Sequence, residues 1–245
     1  MFHTLFYEPI NNLLVVVLTY TPLHDIGAAI VIVTLIVKFV LLPLNLSALR
    51  SQYLMKRLEP QMKKIKELQK TNPQEASKKM IELYKMEKIN PLSSLFAIII
   101  QIPIFFALYF VFSNGLQMDI YSIYSFISFP ENLHTNAFGL FNVTEKNIIV
   151  AIFAGLSSYA LARRQTESMV SNKEAKEESF QDHFMKSMKI QMLYVLPIII
   201  TLSAAILPSA LALYWFVSNV VGYIQDVYMK KKLAHLRMPK FEEIH

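Results

Sequence analysis

The chain has 245 residues, of which 54% are hydrophobic and 17% charged, and it carries a formal net charge of +6. Soluble domains average roughly 45–50% apolar and 25% charged residues, so this composition excludes intrinsic disorder and argues against an ordinary soluble enzyme. Five glycines leave little material for a nucleotide-binding loop, and the lack of cysteine excludes disulfides, thiolate metal sites and Cys nucleophiles.

Residues 1–25 contain no Lys or Arg. Within them Phe2, Leu5, Phe6, Ile10, Leu13, Leu14 and Val17 fall along one side of a helix, and Pro22 ends the run. The stretch is too short to span a bilayer, so it is expected to be an external amphipathic helix lying in the interface. It has no basic n-region and no clear small-residue cleavage site, so removal as a signal peptide is not expected. Residues 26–49 form the first expected span, interrupted by one ionisable residue, Lys38.

Residues 50–90 are charged but patterned. Leu54, Leu58, Met62, Ile65 and Leu68 recur at helical spacing, and Ala76, Met80, Leu83 and Tyr84 do so after Thr71-Asn72-Pro73. Asn72 suits a cap, Pro73 the first helical position and Glu75 a capping box. The expectation is a helical hairpin whose Lys63, Lys64, Lys66, Met62 and Met80 form a basic, adaptable contact surface for anionic lipids, ribosomal RNA or a client. A solvated spacer is the plainer alternative.

Four further spans are expected at residues 91–113, 147–163, 189–207 and 208–229, with Leu207-Pro208-Ser209 breaking the last two apart. An external loop at 114–146, a cytoplasmic loop at 164–188 and a basic tail at 230–245 complete the chain. Twenty-two of the 24 Lys and Arg residues fall in the 50–88, 163–189 and 230–245 segments, which the positive-inside rule places in the cytoplasm. The fold class expected is an all-α polytopic membrane protein with five transmembrane helices, N-terminus outside and C-terminus inside.

A Lys at span centre costs about 2.5–3.5 kcal/mol, so such a residue usually faces a bundle interior or a wet cavity. Thr34 precedes Lys38 by one turn. Gln101, Ser157, Ser158, Gln191, Ser218 and Asn219 add polar groups from other spans, and Tyr214 and Trp215 add amphipathic rings. No span core carries a carboxylate, and Asp226 sits at the cytoplasmic end of the last one. Lys38 therefore either snorkels or meets an anionic group supplied from elsewhere. The six His show no metal-ligand spacing, and no nucleophile, base and acid fall in one site, so neither a metal, a cofactor nor an enzyme activity is expected.

In order, YEPINNLLVVVL, IVIVTLIVKFVLLPL, RLEPQMKKIKELQK, NPQEASKKMIELYK, INPLSSLFAIIIQIPIFFALYFVF, LPSALALYWFVSN and IQD resemble the YidC/Oxa/Alb membrane protein insertases over about residues 5–230. The IQIPIFFALY and LYWFVSN strings are the most specific. The resemblance is to the short bacterial form: the lipoprotein Cys of many members, the extra N-terminal span, the large periplasmic domain and a long basic tail are not in this sequence. It implies a plasma-membrane protein with a five-span core and an amphiphilic groove open to cytoplasm and lipid. It also implies nascent membrane proteins as clients, with the ribosome and the Sec translocon as partners. The family's groove cation is usually Arg, and here that position is Lys38. The groove positions carried over are Thr34, Lys38, Gln101, Tyr214, Trp215, Ser218 and Asn219, while Gln191 is added on polarity alone. No DNA or metal partner is expected. A channel or secondary transporter with a cationic intramembrane site is the rival reading. It lacks the internal repeat and intramembrane carboxylate that such proteins usually show.

Overall fold

The computed structural model describes residues 1–90, 92–113, 123–127, 133–167, 187 and 190–234. Its regular structure among the described residues is helical apart from one two-residue β-ladder and an isolated bridge between Asp25 and His134. A π-helical turn at His3–Tyr7 leads into α1 (Glu8–Tyr20). Then come α2 (Ile26–Val40), α3 (Leu42–Arg57), α4 (Glu59–Thr71), α5 (Pro73–Met86) and α6 (Ser93–Ser113). The strands β1 (Asn136–Ala137) and β2 (Phe141–Asn142) pair antiparallel. They precede α7 (Ile148–Glu167), a second π-helical turn at Gln191–Val195, α8 (Leu196–Ile206) and α9 (Ser209–Ala234). The expected loop at 164–188 and the tail at 230–245 lie largely outside the described residues, as does part of the 114–146 loop.

Prolines set most of the breaks. Pro43 has no N–H to return to the Phe39 carbonyl, and its ring crowds that turn, so the apolar run of the first expected span bends by 61° between α2 and α3. Pro60 opens α4, Pro73 opens α5, and Pro208 separates α8 from α9. Among the described residues no single helix is long and apolar enough to cross a membrane, and only the bent α2–α3 pair has the combined length and composition of a broken span or a re-entrant loop.

One core joins most of these elements. Leu14, Val15 and Leu18 of α1 pack with Ile26, Ile30 and Val33 of α2, with Ala107, Leu108 and Val111 of α6 and with Leu211 and Tyr214 of α9. Small residues let α7 come close: Ala151 and Ala154 are fully buried, and Gly155 meets Thr201 of α8. Outside this core, α4 and α5 close on Leu58, Ile65, Ala76 and Leu83. The hairpin turn is fixed by Asn72, whose Oδ1 accepts from the Glu75 N–H at 3.2 Å while its Nδ2 donates to Glu75 Oε2 at 3.0 Å. A third small cluster of Leu49 and Tyr53 with Met229 and Leu233 ties α3 to the end of α9.

The loop carrying the β-ladder is pinned to two helix ends. Asp25 caps α2 through Oδ1, which accepts from the Ala28 N–H at 3.0 Å, and its Oδ2 accepts from the Phe138 N–H at 2.7 Å. At the start of α9 the Ser209 hydroxyl donates to the Asn142 carbonyl at 2.7 Å. The Ser209 and Ala210 N–H groups reach the Glu145 and Val143 carbonyls at 2.8 and 2.9 Å. These bonds satisfy donors that a helix start otherwise leaves unpaired.

Candidate polar site

Lys38 sits in the last turn of α2, one turn before the break. Its side chain is half-buried and makes no hydrogen bond or ion pair with any described residue. Because Pro43 cannot donate, the neighbouring Phe39 carbonyl loses its usual helical partner, while the Leu41 N–H still reaches the Val37 carbonyl at 3.0 Å. Broken backbone inside an apolar span is tolerated only where it is buried in protein or lines a watery cavity. An ammonium without a partner among the described residues and an interrupted carbonyl ladder thus fall within one turn of each other.

The polar residues expected around Lys38 divide into groups. Thr34 is buried, and its hydroxyl returns to the Ile30 carbonyl of its own helix at 2.6 Å. Gln101 Nε2 donates to the buried Tyr214 hydroxyl. Trp215 stacks on Phe105 with centroids 5.4 Å apart and planes at 13°, so α6 and α9 are joined by a polar pair and an adjoining aromatic pair. Asn219 faces elsewhere: its Nδ2 donates to Ser157 Oγ at 3.2 Å and the Ala154 carbonyl at 3.4 Å, both on α7. Gln191 is exposed at the start of the second π-helical turn and is not joined to the others.

Asp226, the carboxylate near a span end, is 1% exposed and already paired with Arg164, so it does not serve as counter-ion to Lys38. On the hairpin, Lys64 is exposed, while Met62 and Met80 are half-buried against the hairpin's own core. The side chains of Lys63 and Lys66 lie outside the described residues. Among the described residues no cluster of His, Cys, Asp or Glu is arranged to hold a metal ion.

An apolar cleft flanks the turn of α2 that carries Lys38. Phe6, Ile10 and Leu13 form one wall, Val37 and Val40 another, and Ile104 of α6 the third. The arrangement puts a cation with no partner among the described residues near a cleft lined by apolar side chains. Sequence reasoning missed Phe105, although it lies inside the IQIPIFFALY string. It also missed the roles of Tyr53 and Arg164 around Asp226, for which no local signal exists because the partners are 173 and 62 residues away in sequence.

Comparison with known proteins adds the relationship. Residues 18–236 match the family described as 60Kd inner membrane protein. A membrane protein insertase YidC of Geobacter metallireducens is 29% identical over 217 residues, covering 88% of this chain and 35% of that protein. One from Francisella philomiragia is 31% identical over 200 residues, covering 82% of this chain and 31% of that protein. The chain therefore spans about a third of the length of the curated relatives it matches.

Proposed function

This chain belongs to the 60Kd inner membrane protein family, and on that premise we propose that it is a membrane protein insertase of a bacterial membrane. It carries apolar segments of nascent proteins from the cytoplasm into lipid. The single observation behind this reading is Lys38: a cation with no partner among the described residues, at a break in an apolar run, beside an apolar cleft. A client's polar or acidic flank rests at Lys38 and the interrupted backbone while its apolar part lies against the cleft and slides into lipid. A hydrated cationic groove shortens the hydrocarbon path that a short polar tail must cross, and a central charge in lipid alone costs about 2.5–3.5 kcal/mol. Burial of the client's apolar side chains, worth about 25 cal/mol per Å², drives the step without a nucleotide.

In this reading α2 with the first turns of α3, then α6, α7, α8 with its preceding π-helical turn, and α9 are the five spans. The 1–25 segment is external and the α4–α5 hairpin cytoplasmic, where it meets anionic lipid, the ribosome or the Sec translocon. Single Cys residues at Ser122 and Asn136 are expected to label from outside, and those at Ser77 and Ser171 only from the cytoplasm. Uniform labelling of all four in intact cells overturns this topology.

The function is tested in liposomes containing only this protein. One client is supplied with an acidic or a neutral translocated tail to wild type, Lys38→Arg and Lys38→Ala. Wild type and Lys38→Arg are expected to insert both clients, and Lys38→Ala to lose mainly the acidic-tailed one. Equal insertion of both tails by all three proteins removes Lys38 from the mechanism. Ion flux without insertion favours the channel.

A further inference from the structure

Asp226 is nearly inaccessible, and a buried carboxylate persists only when charge and hydrogen bonds satisfy it. Two helices supply them. The Tyr53 hydroxyl of α3 donates to Oδ1 at 2.9 Å, and Arg164 Nε of α7 donates to Oδ2 at 2.9 Å. Arg164 is in turn held by Tyr223, lying 4.8 Å from the ring centroid with Nη1 3.5 Å from the hydroxyl. Asp226 thus bonds α3 and α7 to α9 at one point.

The position of α3 gives this point its significance. The helix begins at the 61° bend one turn after Lys38, and its far end leads through Leu58 into the hairpin. Its other flank is held to the start of α6 and the segment before it, where Ser51 Oγ and Ser93 Oγ share a hydrogen bond at 3.1 Å and Arg50 reaches the Lys88 carbonyl at 3.3 Å. A rigid lever clamped on both flanks transmits a shift at one end to the other. We propose that Asp226, through Tyr53 and Arg164, is a positioning residue that fixes the hairpin-bearing helix α3 against α7 and α9, and so sets the width of the cytoplasmic mouth through which a client reaches Lys38. The proposal rests on the insertase reading above.

Tyr53→Phe is the sharpest test, because it removes one hydroxyl and keeps the ring against Met229 and Leu233. The chain has no native cysteine, so spin labels at Ser77→Cys on the hairpin and Lys231→Cys on α9 report one distance. Wild type in lipid is expected to give a narrow distance distribution. Tyr53→Phe and Asp226→Asn are expected to broaden it and to slow client insertion roughly tenfold, the scale of one lost hydrogen bond to a charged group. Gly155→Ala, which disturbs α7–α8 packing away from α3, serves as a control that lowers the melting temperature while leaving the distance narrow. An unbroadened distribution in both node variants overturns the proposal, as does a broadened one with unchanged insertion. Wild-type protein that fails to insert any client sinks the insertase reading instead. The two failures are distinguishable, because the distance measurement still decides whether Asp226 holds α3.

Discussion

Replacing Gly155 with Ala tests the packing of α7 on α8. The added Cβ would lie 1.8 Å from Thr201 Oγ1, 3.0 Å from its Cβ and 3.4 Å from its Cγ2. Rotating the Thr201 side chain moves the hydroxyl away, but it breaks that hydroxyl's 2.7 Å bond to the Pro197 carbonyl and leaves the Cβ contact in place. Carbon atoms prefer about 3.5–4.0 Å, so the two helices must also separate by roughly half an ångström or more. Overpacking of this kind costs about 1–3 kcal/mol. At about 2–4 °C per kcal/mol for a chain of this size, the melting temperature in detergent, followed by far-UV circular dichroism, should fall by roughly 2–12 °C. Thr201→Ala removes Oγ1 and Cγ2 and leaves only the 3.0 Å contact, so the double variant should recover at least half of the loss. A Gly155→Ala protein that melts with wild type, or a double variant showing no recovery, refutes the close approach of these helices.

Two other outcomes follow from the hairpin. Replacing Lys63, Lys64 and Lys66 together with Gln should weaken binding to anionic liposomes by about 1 kcal/mol per charge at low salt, measured by flotation, and unchanged binding makes the hairpin a spacer. Asn72→Ala removes the cap of α5 and should cost about 1 kcal/mol of local stability, read as faster amide exchange through residues 74–77 with no change around Leu58.

The sequence made Lys38 legible because a lone charge in an apolar run is conspicuous and costly. It also made the α4–α5 turn legible, since the Asn72, Pro73 and Glu75 signals are local and agree. Its reading of residues 26–49 as one span did not convey the 61° bend, although Pro43 was in view, because proline marks a break without fixing its angle. The grouping of polar residues was less accessible still. Tyr214 and Asn219 lie on the same helix, yet Tyr214 bonds Gln101 on α6 while Asn219 turns to Ser157 on α7. Successive helical residues point about 100° apart, so polarity identifies candidates and only packing assigns them to a face.

The anchoring of the β-ladder loop has a mechanical consequence. Asp25 ties that loop to the start of α2, and Ser209 ties it to the start of α9, with Gly27 pressed so closely on Ala137 that no Cβ fits between them. The two helices are therefore riveted together at one end, like the arms of tweezers. Sideways travel then grows with distance from the rivet. At about 1.5 Å per residue, the 26-residue α9 is roughly 39 Å long, so a tilt of about 5° that is scarcely felt at Ser209 displaces Ala234 by about 3 Å. Any gape between these helices is one-sided, least at the end where the loop is fastened and growing along α9 toward Asp226, where Tyr53 of α3 takes hold instead.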